Sequence, residues 1–123
     1  MRGLARVCLT LFLGLTAAHP VHAQTSATTA MVQADFDAAM DAIEQSRLRT
    51  ARQRLTNLLA ANPSLSRARL ELARVYYLSR DYTAARTEAQ RVLDDPDTPP
   101  TVRATVLAFL AQIDADEDRK SVV

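Results

Sequence analysis

The chain has 123 residues, with 15 basic and 14 acidic side chains and a formal net charge of +1, so its charge gives no reason to expect a nucleic-acid partner. Hydrophobic residues make up 48% of the sequence, which is enough for one domain to bury a core. Cysteine occurs once, which excludes an intramolecular disulfide and leaves the packing of side chains to stabilise the fold.

The N-terminal segment has the three parts of a secretory signal peptide. MRGLAR carries two arginines, VCLTLFLGLTAA is an uncharged apolar run, and HPVHA ends in small residues. This order predicts a signal peptide over residues 1–23 with cleavage after Ala23, and hence a periplasmic location with no later membrane-spanning segment. The apolar run from Val7 to Ala18 is shorter than the roughly 20 residues of a membrane-spanning helix, which disfavours an uncleaved N-terminal anchor.

Removal of residues 1–23 would take away the single Cys, both His and both Gly residues. It would leave 13 basic and 14 acidic side chains and a formal charge of −1, because Arg2 and Arg6 would go with it. A catalytic triad needs His, thiol chemistry needs Cys, and a phosphate-binding loop needs Gly. We therefore predict no enzyme, no catalytic residue, no metal site and no cofactor.

Two acidic segments, 94–97 and 114–118, invite the idea of a site for a hard metal ion. A calcium loop normally has glycine at its sharp turn, whereas Pro96 stiffens the first segment. We interpret both segments as solvated ends of the domain.

After Ala34 the sequence has no Gly and only four prolines, so it is helical by propensity. Residues 24–33 are small and polar and are predicted to form a flexible leader, and 117–123 are predicted to form a disordered tail. The helical domain between them spans 34–116. Apolar spacing predicts five helices there, over residues 34–46, 48–61, 66–79, 82–94 and 100–114.

The predicted helices repeat with a period of 34 residues. This shift takes the apolar stripe of the second helix onto that of the fourth: Leu48, Ala51, Leu55, Leu58 and Leu59 become Tyr82, Ala85, Ala89, Val92 and Leu93. It also takes the third helix onto the fifth: Ala68, Leu72, Val75 and Tyr76 become Val102, Val106, Phe109 and Leu110. An unrelated antiparallel bundle would have no reason to repeat at this period.

This period, and the order of small and large residues within it, resemble the tetratricopeptide repeat. Its second copy is matched by Leu72, Ala73, Tyr76 and Ala85. Two residues depart from the pattern, since Arg69 stands where it has tryptophan and Ala89 where it has a large aromatic residue. The resemblance implies an all-α, tetratricopeptide-type helical hairpin solenoid of two repeats plus one terminal capping helix.

In this repeat class the first helix of each pair lines a concave surface. The residues predicted to line it as a partner-binding groove are Phe36, Met40, Ile43, Leu70, Arg74 and Tyr77, with a shallow third rung of Ala104, Ala108 and Ala111. Such a groove suits an extended segment or a helix of a protein partner, with Arg74 binding a carboxylate or a backbone carbonyl. The sequence leaves open the alternative that these side chains only pack inside the domain or are covered by the leader.

Arginines at positions 47, 49, 52 and 54 could be mistaken for a phosphate-binding strip. Arg47 and Arg54 share a helix face, whereas Arg49 and Arg52 point elsewhere. We interpret the four as a solvated face, where Asp and Glu of adjacent helices can pair with them.

Residues 67–115 contain LELAR, DYTAAR, a proline pair, VRA and FLAQID in this order. This stretch resembles the periplasmic N-terminal repeat domain of surface lipoprotein assembly modifiers. In that family the repeats precede an outer-membrane β-barrel, which implies a partner that is an outer-membrane barrel or an exported lipoprotein. The sequence ends at Val123, before such a barrel, so a truncated member, a separately encoded periplasmic half and a free periplasmic scaffold with no transport role all stay open.

Overall fold

The structure is a computed structural model that describes the backbone of residues 21–122 and the side chains of residues 26–122. Over this range the chain is all-helical. In chain order the helices are α1 (Val21–Glu44), α2 (Leu48–Ala61), α3 (Ser66–Leu78), α4 (Tyr82–Asp94) and α5 (Pro100–Ser121). The predicted signal peptide lies outside the described residues except for its last three, which begin α1.

Both ends of the helical domain extend further than the sequence predicted. The predicted leader, 24–33, belongs to α1, and the predicted disordered tail is helical as far as Ser121, so both predictions are wrong over these residues. The leader contains no Gly or Pro to stop a helix, and Val32 packs on the core. Glu117 in the tail pairs with Arg86, which holds the end of α5 against α4.

The turns inside the two hairpins have the same geometry 34 residues apart. Ser46 has a φ of 57° and Arg80 a φ of 63°, both in the left-handed region. In each turn the following residue donates its backbone N–H to the carbonyl five residues earlier, which closes the preceding helix. The helix starts repeat as well, since α2 and α4 begin 34 residues apart, and so do α3 and α5.

Each helix packs mainly on the next one along the chain. The buried side chains form two apolar clusters, of which one lies between α1, α2 and α3 and the other between α3, α4 and α5. Ala51 and Ala85, which are related by the repeat, are both 0% exposed, and the same holds for Ala39 and Ala73. Small side chains at these equivalent positions allow the helices to approach closely.

Side chains that bind backbone carbonyls hold the connection between α4 and α5. Thr98, which is 4% exposed, donates its hydroxyl to the carbonyl of Val92 at 2.7 Å. Arg103 donates to the carbonyls of Leu93 and Asp95 at 2.7 Å each, and to that of Thr98 at 3.2 Å. Because the last carbonyls of a helix lack partners within it, these bonds satisfy the end of α4 and set where α5 begins.

An ion pair occupies the place where the repeat pattern has tryptophan. Arg69 Nη1 lies 2.9 Å from Glu88 Oε2 on α4, and Arg69 Nη2 donates to the carbonyl of Pro63 at 2.9 Å. The two side chains are only 18% and 12% exposed. Charge-assisted hydrogen bonds therefore join α3 to α4 and to the preceding connection.

Candidate functional site

An open hollow of about 190 Å³ lies between α3 and α5. Its lining residues are Leu70, Glu71 and Arg74 from α3, and Thr105 and Phe109 from α5. The three residues of α3 share one side of the helix, because Glu71 and Arg74 lie one and four positions after Leu70. The hollow therefore combines apolar walls with one pair of opposite charges.

The charged pair of the hollow is Glu71 and Arg74. Arg74 Nη1 lies 3.5 Å from Glu71 Oε2, but this oxygen is buried and accepts no hydrogen bond. The Arg74 side chain is 53% exposed and that of Glu71 is 19% exposed. A desolvated carboxylate oxygen without a hydrogen bond is costly, so the pair has unused capacity both to donate and to accept hydrogen bonds.

A group of aromatic rings supports the wall that α5 provides. The ring of Tyr77 lies edge-on to that of Phe109, with 5.5 Å between centroids, and 5.6 Å from the ring of Tyr82. The Tyr77 hydroxyl forms a hydrogen bond with Asp116 on α5, and Lys120 Nζ lies 4.3 Å from the centroid of Tyr82. These contacts position Phe109 against α3.

A family model described as tetratricopeptide repeat matches residues 36–99, which is more than half of the chain. The chain belongs to the tetratricopeptide repeat family. The prediction of a tetratricopeptide-type helical solenoid is thereby confirmed. Tetratricopeptide repeats generally mediate protein–protein interactions. Neither the search of curated proteins nor that of solved structures found a match.

In this tetratricopeptide repeat protein the hollow lies between the first helix of the second repeat and the capping helix. Leu70 and Arg74, which the sequence predicted as groove residues, both line it. Tyr77 is half-buried beside it and reaches the hollow only through its contact with Phe109.

The three predicted groove residues of α1 lie elsewhere in the tetratricopeptide repeat domain. Phe36 and Ile43 are each 7% exposed and belong to the first apolar cluster, against which Met40 also packs. The guanidinium of Arg67 covers the ring of Phe36 at 4.7 Å from its centroid. The structure does not bring these residues to the hollow, and their contact with a partner stays a prediction.

Three lining residues of the hollow were missed from the sequence. The sequence does contain a signal for Glu71, because it precedes Arg74 by three positions, and residues at this spacing are neighbours on a helix. Phe109 was read only as an equivalent of the core residue Val75, and Thr105 was not singled out at all. Both come from α5, so only the packing of α5 on α3 places them in the site.

Three acidic residues of α5, Asp114, Asp116 and Glu117, form ion pairs with arginines of the protein itself. Arg86 on α4 pairs with Glu117 and Asp114, whose hydrogen bonds raise the pKa of its guanidinium above the usual value. Within residues 21–122, no group of three or more His, Cys, Asp or Glu is placed to hold a metal ion. No helix in that range is long and apolar enough to cross a bilayer.

The arginines at positions 47, 49, 52 and 54 form an exposed face, as the sequence predicted. In the described part of the chain, no Asp or Glu forms an ion pair with any of the four. The segment from Gln45 to Leu70 contains no carboxylate, and Asp35 of α1 lines a surface hollow with Arg54 without forming an ion pair with it.

Proposed function

We propose that this tetratricopeptide repeat protein is an exported module that binds a segment of a protein partner in the hollow between α3 and α5. The observation that carries the proposal is an open apolar hollow with Arg74 and Glu71 at its side. An apolar side chain of the partner would fit between Leu70 and Phe109, where burial stabilises the complex. The two charged residues would fix the orientation of the partner.

The hydrogen-bonding capacity of the pair favours an extended segment over a helix. Arg74 can donate to a carbonyl or carboxylate, and Glu71 can accept from an N–H group. An extended backbone offers free N–H and C=O groups in alternation, whereas a helix uses them internally. We therefore expect one peptide unit beside Arg74 and one apolar side chain inside the hollow.

A selection of displayed peptides against the full chain, followed by fluorescence anisotropy with the selected peptides, tests this site. Leu70→Glu and Arg74→Glu should each weaken binding by about tenfold or more, because they remove the apolar wall and the donor. Leu107→Glu is the matched control, since Leu107 is 57% exposed on α5 and outside the hollow. Peptides that bind the unmodified chain and all three variants with equal affinity would exclude the hollow as the binding site.

Export is supported by the N-terminal sequence, with its basic, apolar and small-residue parts in order. N-terminal sequencing of the protein from a periplasmic extract should find a chain that begins at Gln24. A chain that keeps residues 1–23 and stays with the cytoplasmic fraction would contradict this part of the proposal.

A role in surface lipoprotein assembly is supported by the motifs in residues 67–115, a stretch that contributes every lining residue of the hollow. The partner would then be an outer-membrane barrel or an exported lipoprotein. The alternative is a free periplasmic scaffold with no transport role, which could use the same hollow. Cross-linking from Thr105 in cells distinguishes the two, since only a transport accessory should capture a barrel or a lipoprotein in a manner that depends on Arg74.

A further inference from the structure

Helix α2 carries three arginines, Arg49, Arg52 and Arg54, that form no ion pair within the described residues. The segment from Gln45 to Leu70 contains no acidic residue, although the whole chain is nearly neutral. The ion pairs of the described residues involve arginines of α3, α4 and α5, namely Arg69, Arg74, Arg86, Arg91 and Arg119. Such an asymmetry attracts anions to the face of α2.

Part of this charge lines an open hollow of about 300 Å³ between α2 and α3. The five lining residues of α2 share one face, because they recur at helical spacing. The residues around the hollow are Arg49, Arg52, Gln53, Thr56 and Asn57 of α2 and Tyr76 of α3. Every one of these side chains has a hydrogen-bond donor, and no carboxylate is among them.

The lining favours a phosphate group over an acidic peptide. A phosphate presents acceptor oxygens in several directions, which suits guanidinium, amide and hydroxyl donors placed around it. A protein segment would need apolar anchors, and the ring of Tyr76 is the one large apolar group that this hollow offers. Tyr76 packs against the first apolar cluster, so it forms a fixed wall.

We propose that the hollow between α2 and α3 binds a phosphate group, either as free inorganic phosphate or in the headgroup of an anionic lipid. The guanidinium groups of Arg49 and Arg52 bind the phosphate oxygens, and the polar side chains of the next turn complete their coordination. This site is separate from the hollow between α3 and α5 and does not depend on the proposed function of that hollow.

The first test is a titration of the full chain with inorganic phosphate at constant ionic strength, followed by NMR or calorimetry. Binding should saturate, and R49Q/R52Q should weaken it by about tenfold or more, because two charge-assisted interactions are lost. The matched control is R47Q/R54Q, which removes the same charge from α2 and its N-cap but spares the lining of the hollow. The control should change the affinity by less than about twofold.

The second test separates the two sources of phosphate. Vesicles of phosphatidylglycerol and phosphatidylcholine are compared with vesicles of phosphatidylcholine alone, for the same two double variants. A loss of binding to the anionic vesicles that is specific to R49Q/R52Q supports a lipid headgroup. Saturable binding of inorganic phosphate without that vesicle effect supports free phosphate.

Three results would overturn the proposal. One is that neither inorganic phosphate nor the anionic vesicles bind saturably. Another is an equal loss in the two double variants, which would show attraction to general charge and no site. The last is an oligoglutamate peptide that binds through Arg49 and Arg52 more tightly than phosphate, which would assign the surface to an acidic protein segment.

Discussion

Tyr77 on α3 and Phe109 on α5 meet edge to face, with 5.5 Å between their ring centroids and 71° between their planes. The Tyr77 hydroxyl also donates a hydrogen bond to Asp116, which lies five residues before the end of α5. This contact ties the capping helix to the second repeat. Because the hollow of the proposed partner site lies between the same two helices, the contact also sets its width.

Tyr77→Ala should lower the free energy of unfolding by about 2–3 kcal/mol, since it removes a half-buried ring and its contact with Phe109. Amide hydrogen exchange in α5 should become faster, while exchange in α2 stays unchanged. Tyr77→Phe keeps the ring contact, loses the hydroxyl bond to Asp116 and should cost about 1 kcal/mol. Unchanged exchange of α5 in Tyr77→Ala would show that the ring pair does not hold the capping helix.

Thr98→Val should lower the free energy of unfolding by about 1–2 kcal/mol, because the carbonyl of Val92 loses a buried hydrogen bond. Thr98→Ser keeps the hydroxyl and should recover most of the loss. Urea denaturation measures both, with Thr101→Val at an exposed position of α5 as the control. Equal effects of Thr98→Val and Thr101→Val would mean that the buried bond contributes nothing.

Arg69→Met should lower the free energy of unfolding by about 1–3 kcal/mol, because it leaves Glu88 largely buried without its interhelical partner. Arg91→Met is the matched control. Arg91 binds the same carboxylate but is 58% exposed, so its loss should cost about 0.5 kcal/mol or less. A double-mutant cycle of Arg69→Met with Glu88→Gln measures the coupling, and a value near zero would contradict the interpretation.

Arg80→Gly should raise the free energy of unfolding by about 0.5–1 kcal/mol, because Arg80 has a φ of 63° and glycine adopts the left-handed region without the clash of a Cβ. Ser46→Gly should act in the same direction, since it is the equivalent position of the first repeat. Thermal unfolding provides the measurement. Arg91→Gly in the last turn of α4, where the backbone is helical, should have the opposite sign, and a loss of stability in all three variants would refute the expectation.

The helical propensity at the ends of the domain was underestimated from the sequence. The lack of an apolar stripe in residues 24–33 predicts a leader, yet nothing in them stops a helix, and Val32 packs on the core. The tail, 117–123, is predicted as disordered because it lies at the terminus, yet its Glu117 forms an ion pair with Arg86 on α4. Both errors arise because a neighbouring helix can stabilise a segment that has little reason to fold alone.

Helical propensity and apolar spacing were sufficient to predict the all-helical class, the five helices and the repeat, because both act within a single helix. The repeat also related Ala51 to Ala85, which the structure buries equally. Helix packing, in contrast, determines which side chains lie opposite one another. It places Phe109 beside Arg74, Glu88 against Arg69, and no carboxylate in the lining of the hollow at Arg49. Spacing along a helix determines which face a residue occupies, whereas the residue that it meets depends on how the helices pack.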